Sequence, residues 1–375
     1  MKHYKLDCAS LPDKLFTKGT DVKDWLSLAT TSDGKFPPGS LNKVLPIDRS
    51  VEIERITGIA LYVIGNVALP FLTVLLVASF FSDIGMLILK LFLVYVATLI
   101  AVNRYYYAPK FVKKYNAPDQ LSDTDIKGNQ YLHTERNSQK YTSLQFVWPE
   151  SIHRPALADK PAIFCAIPHG AMPIGITAYP MWSKLFNDKL CHWTCAPVVL
   201  KLPVVSTYMR QLGYIPAKSK NIVEILTKKE ENVGIILDGV AGMFQHHDEI
   251  AYLKKRKGIV KIALRAGVPL VPVYGFGHTQ LWNVVVDPFG ILEKLSVKLD
   301  TSLCPFFGRF GWFLGPPHRV PVTICVGEPV NCPKISDPTK EDIEIYHSML
   351  LKKYANLFEQ HKEAYGWGDK ELKFV

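Results

Sequence analysis

The chain has 375 residues, of which 48% are hydrophobic, and it carries a formal net charge of +10. This length and apolar fraction suit a large buried core and exclude a mainly disordered chain. The positive charge suits nucleic acid, an anionic membrane surface or an anionic small substrate, so the placement of the charges has to distinguish these partners. The seven cysteines are scattered without a CxxC pair, which argues against a disulfide framework and a structural zinc site.

The N-terminal part of the chain changes character abruptly. Residues 1 to about 50 are polar and contain four prolines, so we expect a loosely ordered cytosolic arm. Residues 58–81 carry no charge, and residues 84–102 carry only Lys90. Because each segment could cross a hydrocarbon core of about 30 Å as a helix, residues 51–110 predict a membrane-embedded helical hairpin. Basic residues flank both outer ends and favour the cytosolic face; the alternative is a buried helical pair in a soluble domain.

The rest of the chain predicts an α/β domain. After a polar, irregular segment at 111–160, short apolar runs predict buried strands at 162–167, 196–200, 213–216, 233–238, 269–274 and 321–326. Helical patterns lie at 221–230 and 258–265, and a last amphipathic helix at 341–365 is stopped by Gly366. Strands that alternate with helices indicate a layered α/β architecture from about 150 to 335.

The ends of the predicted strands carry the candidate catalytic residues. His169 follows Pro168 at the end of the first run, and imidazole can take and return a proton near neutral pH. Asp238 and Gly239 end a second run, and residues 275–278 end a third with His278. Because ligands bind at the carboxyl ends of strands in open α/β sheets, we expect these ends to converge on one pocket. The alternative is that they are ordinary turns.

A basic cluster at residues 254–257 precedes the helix that is predicted to begin at Gly258, and Lys261 follows one turn later. Cations beside a helix N-terminus favour a phosphate group, because free backbone N–H groups and the helix dipole attract an anion there. A solvated charged turn and a contact with anionic lipid head groups are the alternatives. No recognised nucleic-acid motif accompanies the charge, so no nucleic-acid partner is expected.

Other motifs give weaker or negative signals. His246 and His247 precede Asp248 and Glu249, but adjacent histidines point apart in both helix and strand, so a metal site is not favoured there. Neither Gly-x-Ser-x-Gly nor a glycine-rich phosphate loop occurs, which argues against serine-hydrolase and nucleoside-triphosphatase chemistry.

Several blocks together resemble the type-2 diacylglycerol acyltransferase family, which includes monoacylglycerol and wax-alcohol acyltransferases. Residues 164–173 are similar to its His-Pro-His-Gly block, and further matches follow in the family's order at 238–244, 256–264, 271–277, 326–329 and 357–362. Ile167 replaces the first histidine of that block. Gly242 replaces the acidic residue of a Gly-Gly-x-x-Glu block, whose first glycine is here Asp238. His278 stands where the family commonly has glutamate.

The resemblance implies a glycerolipid-acyltransferase-like domain at 111–375, with a central sheet flanked by helices and preceded by the hairpin. It implies acyl transfer from acyl-CoA to 1,2-diacylglycerol, with His169 as the general base. The backbone N–H groups of Gly170 and Gly239 are candidate oxyanion donors, and Asp238 is the candidate for the lost carboxylate. Direct transfer needs no cofactor, metal or covalent enzyme intermediate. The substrate-binding candidates are Pro168, Arg256, Lys257, Gly258, Lys261 and His278.

The implied partners are acyl-CoA, diacylglycerol or a related lipid acceptor, and a membrane; a homo-oligomer is left open. The implied location is the endoplasmic reticulum membrane with a cytosolic catalytic domain, and lipid droplets are left open as a second location. Two other functions also stay open. One is transfer to monoacylglycerol, a long-chain alcohol or a lysophospholipid, and the other is lipid binding without catalysis.

Overall fold

The computed structural model describes residues 2–11, 26–53, 137–152, 160–176, most of 182–210, and 212–375 with gaps at 246–247, 288 and 300–302. Of the segment between 54 and 136 it describes residues 86, 87 and 90. The predicted membrane hairpin therefore lies almost entirely outside the described residues. Within these ranges, no helix combines the length and the apolar character that a bilayer crossing requires.

The strands are β1 Lys2–Asp7, β2 Thr30–Asp33, β3 Gln145–Pro149, β4 Ile163–Ile167, β5 Cys191–Cys195, β6 Ile215–Pro216, β7 Asn232–Ile236, β8 Ile250–Ala251, β9 Leu270–Phe276, β10 Asn283–Val284, β11 Phe306–Phe307, β12 Thr323–Val326 and β13 Lys373–Phe374. The helices are α1 Ser219–Glu224, α2 Gly239–Met243, α3 Gly258–Ala266, α4 Ile291–Leu299 and α5 Lys340–Tyr365. A π-helical turn, Ile225–Lys229, continues α1. These elements confirm the α/β class.

In the described part of the chain, nine strands form one mixed sheet in the order β2-β1-β3-β12-β9-β4-β7-β5-β6. β4 lies between β7 and β9 and pairs in parallel with both. Ala166 is opposite Ile236, and Ile167 is opposite Tyr274, so the carboxyl ends of these three strands lie at the same edge. This is the edge at which open α/β sheets bind ligands.

The central strand β4 is buried on both faces of the sheet. Phe164 and Ala166 belong to one hydrophobic cluster, which includes the rings of Trp182 and Phe186. Ile163, Cys165 and Ile167 belong to a second cluster, which contains the apolar faces of α3 and α5. Successive side chains of a strand point to opposite faces, so one continuous apolar run supplies both cores.

The N-terminal residues differ from the loosely ordered arm that the sequence predicts. β1 pairs antiparallel with both β2 and β3, which adds residues 2–7 and 30–33 to the main sheet. Leu6 is fully buried, and Tyr4 stacks on Trp148 with ring centroids 5.8 Å apart. Apolar side chains on alternate positions therefore hold this polar segment against the edge of β3.

Two other predicted elements are shifted along the chain. The strand predicted at 196–200 is a turn followed by a 3₁₀ turn, Val199–Lys201, and the strand lies earlier, at β5. The helix predicted at 221–230 begins at Ser219, with Lys218 rather than Asn221 at its N-cap. Glycines with positive φ end α3 at Gly267 and α5 at Gly366, as the sequence predicts.

Candidate active site

A hydrogen bond joins the ends of β4 and β7. The Ile167–Pro168 peptide bond is cis, and His169 follows directly after the end of β4. Its backbone N–H donates to Oδ2 of Asp238 at 2.9 Å. Asp238 occupies the N-cap position of α2, two residues beyond the end of β7. The structure thus brings together two of the three strand ends that the sequence singles out.

The imidazole of His169 is oriented by a backbone carbonyl. Nδ1 lies 2.7 Å from the carbonyl oxygen of Gly170, so in the neutral ring Nδ1–H is the donor and Nε2 carries the lone pair. Burial lowers the pKa of His169 below its usual 6.5, and the hydrogen bond to Gly170 acts in the opposite direction. The ring is therefore neutral at neutral pH, with Nε2 able to accept a proton.

The carboxyl group of Asp238 contacts the backbone of His169 rather than its ring. Asp238 is fully buried, and this burial raises its pKa to about 7, although the N–H of His169 and the Arg256 guanidinium oppose the rise. Its second oxygen, Oδ1, has no hydrogen-bond partner among the described residues. Asp238 therefore holds the position of the His169 loop, while the Gly170 carbonyl orients the imidazole.

Gly242 lies against the Asp238 carboxyl group. A Cβ atom at position 242 would overlap that carboxyl group in the present structure. A side chain at 242 and a carboxylate at 238 therefore compete for one space. The two departures from the Gly-Gly-x-x-Glu pattern are linked, because Asp238 fills the space beside α2 that the missing side chain leaves.

His278 adds a second imidazole from the end of β9. The residue is 1% exposed, and its ring nitrogens make no hydrogen bond of ordinary geometry among the described residues. Burial is the main cause that lowers the pKa of His278 to about 4; the backbone of Ile174 acts on the ring and raises the pKa, and the nearby His169 imidazole lowers it further. Gly170 has φ +60°, and a Cβ there would stand 3.0 Å from the His278 carbonyl oxygen. All three predicted strand ends therefore meet around His169.

Arg256 brings the basic cluster to the strand ends. Its Nη2 lies 3.5 Å from the carbonyl oxygen of Asp238, and its guanidinium packs beside Gly239, which has φ +58°. α3 begins at Gly258 and leads through Gly267 into the amino end of β9. The helix N-terminus therefore lies toward the same edge of the sheet as His169.

The other candidates of the basic cluster have different environments. Lys257 forms an ion pair with Glu344 on α5, so its ammonium group already has an anionic partner. Lys261 is exposed one turn into α3. Of the three cations, Arg256 is the one whose contacts with the strand ends the structure defines.

Glu249 is a buried acidic residue that the sequence pattern does not distinguish. Its carboxylate accepts hydrogen bonds from Tyr274 Oη at 2.6 Å and Thr279 Oγ1 at 2.9 Å, and it pairs with Lys370 Nζ at 3.0 Å. Through Glu249, these contacts connect the end of β9 and the turn after it to the C-terminal segment. In the sequence, Glu249 resembles one member of a polar loop, because its partners are distant along the chain.

The possible metal site at residues 246–249, which the sequence does not favour, is only partly described, because His246 and His247 lie outside the described residues. Over the ranges that the structure does describe, no group of three or more His, Cys, Asp or Glu side chains could hold a metal ion.

We expect Gly242→Ala to lower the free energy of unfolding by about 1–3 kcal/mol, because the new methyl group overpacks the Asp238 carboxyl group. The sign is diagnostic, since Gly→Ala inside an unobstructed helix stabilises by about 1 kcal/mol. Denaturant unfolding of the detergent-purified chain measures this change. The control is the double variant Asp238→Gly/Gly242→Ala. Because the carboxyl group is then absent, we expect the Gly242→Ala change to cost less unfolding free energy in this background than in the wild type. A Gly242→Ala protein as stable as the wild type would contradict this packing.

Comparisons with known proteins place this chain in a family. A family model described as diacylglycerol acyltransferase matches residues 123–375. Diacylglycerol O-acyltransferase 2 of Xenopus tropicalis is 32% identical over 236 residues, which cover 58% of this chain and 65% of that protein. The Homo sapiens protein of the same name is 30% identical over 236 residues, or 58% of this chain and 60% of that protein. The matches to these two relatives thus span less than two thirds of their length.

A third relative, diacylglycerol O-acyltransferase 2-like protein 6 of Mus musculus, is 32% identical over 227 residues, or 54% of this chain and 67% of that protein. The crystal structure of the 1-acyl-sn-glycerophosphate acyltransferase PlsC from Thermotoga maritima aligns with a TM-score of 0.38 and 18% identity. That alignment covers 70% of this chain and 94% of the PlsC chain. Because the family model matches more than half of its residues, the chain belongs to the diacylglycerol acyltransferase family.

Proposed function

We propose that this protein is a membrane-bound, acyl-CoA-dependent O-acyltransferase that converts acyl-CoA and 1,2-diacylglycerol into triacylglycerol and CoA. The observation that carries the proposal is the His169 imidazole, which is neutral, partly accessible and held by the Gly170 carbonyl at the carboxyl edge of the sheet. Family membership supports the same chemistry, since the matched family is described as diacylglycerol acyltransferase.

The reaction requires a base, because a lipid hydroxyl is a poor nucleophile until its proton is removed. His169 Nε2 takes this proton as the hydroxyl oxygen attacks the thioester carbonyl carbon. The carbon–sulfur bond of the tetrahedral intermediate then breaks, and the imidazolium returns its proton to the sulfur of the leaving CoA. His278 is less suitable as the base, because its ring is almost completely buried.

The developing oxyanion needs N–H donors in fixed positions. We assign this role first to Gly170, whose backbone is next to the base. Gly239 is the second candidate, although its backbone N–H also interacts with the Asp238 carboxyl group, whose pKa it lowers.

We assign the phosphates of CoA to the N-terminal end of α3. Arg256 and the backbone N–H of Gly258 supply the charge and the dipole that favour an anion there. Lys261 is exposed on the following turn and extends the cationic surface. Lys257 would have to exchange its ion pair with Glu344 before it could contact a phosphate.

The proposed location is the cytosolic face of the endoplasmic reticulum membrane, where the hairpin at 51–110 would anchor the catalytic domain. A diacylglycerol acceptor would then reach the site from the bilayer, and acyl-CoA would reach it from the cytosol. Relocation to lipid droplets and assembly into a homo-oligomer remain predictions from the sequence.

An acceptor panel in isolated membranes tests the proposed reaction. We expect labelled acyl-CoA to be transferred to diacylglycerol in preference to monoacylglycerol, a long-chain alcohol or a lysophospholipid. His169→Ala should lower this rate by about 10²- to 10⁴-fold, the contribution of a positioned base, while protein level and membrane association persist.

The control is His192→Gln, because His192 is also a hydrogen-bonded histidine of the sheet but is buried and pairs with Glu231 near the amino ends of β5 and β7. We expect this variant to keep its activity. Full activity in His169→Ala would remove His169 from the mechanism, and saturable acyl-CoA binding without turnover on any acceptor would favour a non-catalytic lipid-binding protein.

The pH profile of kcat/KM offers a second test of His169. Because burial lowers the pKa of His169, the neutral ring persists below pH 6.5 and the base is lost only as the pH falls further. We therefore expect the His169 limb of the profile to have its midpoint below 6.5. Asp238, with its pKa near 7, would give a separate inflection that Asp238→Asn removes. A His169 limb at or above 6.5 would contradict the lowered pKa of this ring.

A further inference from the structure

Four aromatic side chains are exposed within seven residues that begin with the last residue of β11. Phe307, Phe310, Trp312 and Phe313 are 40%, 61%, 51% and 55% exposed. The rings of Phe307 and Phe313 are 5.6 Å apart, and those of Phe310 and Trp312 are 5.8 Å apart. We call residues 307–313 the aromatic loop. Contiguous exposed apolar surface of this kind marks a contact site, because soluble surfaces rarely leave such groups together in water.

The aromatic loop has a defined conformation. The N–H of Gly308 donates to the Trp312 carbonyl oxygen at 2.9 Å, and the N–H of Leu314 donates to the Phe306 carbonyl oxygen at 2.9 Å. Below the loop, Phe306 is buried against Trp282, whose Nε1 donates to the Gly315 carbonyl oxygen at 3.0 Å. The exposed rings are therefore presented by a hydrogen-bonded scaffold with its own buried base.

The segment between β10 and β11 also exposes apolar side chains. β11 pairs with β10, and α4 lies in the connection between these two strands. Phe289 is 77% exposed before α4, and Ile291 and Leu295 are exposed one turn apart on the helix. Lys294 and Lys298 are exposed on the same helix. Exposed apolar groups with interspersed cations are typical of helices that lie at an anionic lipid surface.

An ion pair connects the aromatic loop to the start of the predicted hairpin. Arg309, whose guanidinium lies over the Phe310 ring at 4.7 Å, pairs with Glu52. Glu52 belongs to a helical segment at residues 49–53, and the uncharged stretch of the sequence begins at residue 58. The aromatic loop therefore lies beside the point at which the chain is predicted to enter the membrane.

We propose that the aromatic loop and the exposed apolar residues of α4 form a second membrane-contact surface, which inserts into the interfacial region of the leaflet that the hairpin enters. Tryptophan and phenylalanine suit this region because their rings are apolar, and Trp can also donate a hydrogen bond to lipid polar groups. The inference rests on the proposed membrane location. It adds that the catalytic domain itself contacts the bilayer, so the hairpin is not its sole attachment to the membrane.

A fluorescent label at the aromatic loop tests this surface. Phe313→Cys is prepared in the full chain with Cys191→Ser and Cys195→Ser, since the other five cysteines are buried. The matched control is Ile345→Cys on α5, because Ile345 is 57% exposed against 55% for Phe313. Both proteins are labelled with an environment-sensitive nitrobenzoxadiazole probe and reconstituted into phosphatidylcholine–phosphatidylserine vesicles.

We expect the probe at 313 to emit at shorter wavelength than the probe at 345 and to lose most of its emission when the vesicles contain lipids with a doxyl quencher near the head group. Phe310→Cys serves as a second labelled site and should behave alike. Identical spectra at 313 and 345 would overturn the proposal. A shifted emission that lipid quenchers leave unchanged, and that is lost on dilution in detergent, would also overturn it and would assign the surface to a second copy of the chain.

The readout needs no acyl transfer. If the labelled chain touches lipid but transfers no acyl group to any acceptor, the proposed reaction fails and the contact surface stands. If the chain is active but the probe at 313 stays in water, the contact surface fails and the reaction stands.

Discussion

The hydrogen bond from the His169 backbone N–H to the Asp238 carboxyl group is the constraint on which the site depends. It ties the central strand of the sheet to its neighbour at the edge where ligands bind. A carboxyl group in this position must be buried, and burial raises its pKa to about 7. Gly242 then has to lack a side chain, because the carboxyl group fills the space beside it. One polar contact thus accounts for two departures from the family pattern.

Different groups position the His169 loop, orient the His169 imidazole and act as the proposed base. Asp238 fixes the backbone of the loop, and the Gly170 carbonyl fixes the imidazole. Ile167, which replaces the family's first histidine, is the last residue of β4, and its side chain is buried in the hydrophobic cluster with α3 and α5. The proposed base is therefore a single histidine, with His278 as a second, neutral imidazole beside it.

The sequence predicts the parts of this structure that local patterns determine. β4, β7 and β9 are continuous apolar runs, and glycines end α3 and α5, so each can be recognised from a few neighbouring residues. β1 is a short polar strand whose partner β3 lies about 140 residues away, and no local signal reports that pairing. The ring partner of His169 is a backbone carbonyl, which a residue pattern cannot show. The contacts of Glu249 come from two other segments, the end of β9 with the turn after it and the C-terminal segment, so they too appear only in the fold.

The most direct test of this account exchanges the carboxyl group between its two positions. Gly242→Glu alone places two carboxyl groups in one space, so we expect it to abolish acyl transfer to diacylglycerol. Asp238→Gly alone removes the acceptor for the His169 N–H and should lower the rate. The double variant Asp238→Gly/Gly242→Glu restores the family's arrangement, and its rate in membranes should exceed that of either single variant. Full activity in Asp238→Gly, or a double variant no more active than that single variant, would contradict the claim that the Asp238 carboxyl group holds the His169 loop in place.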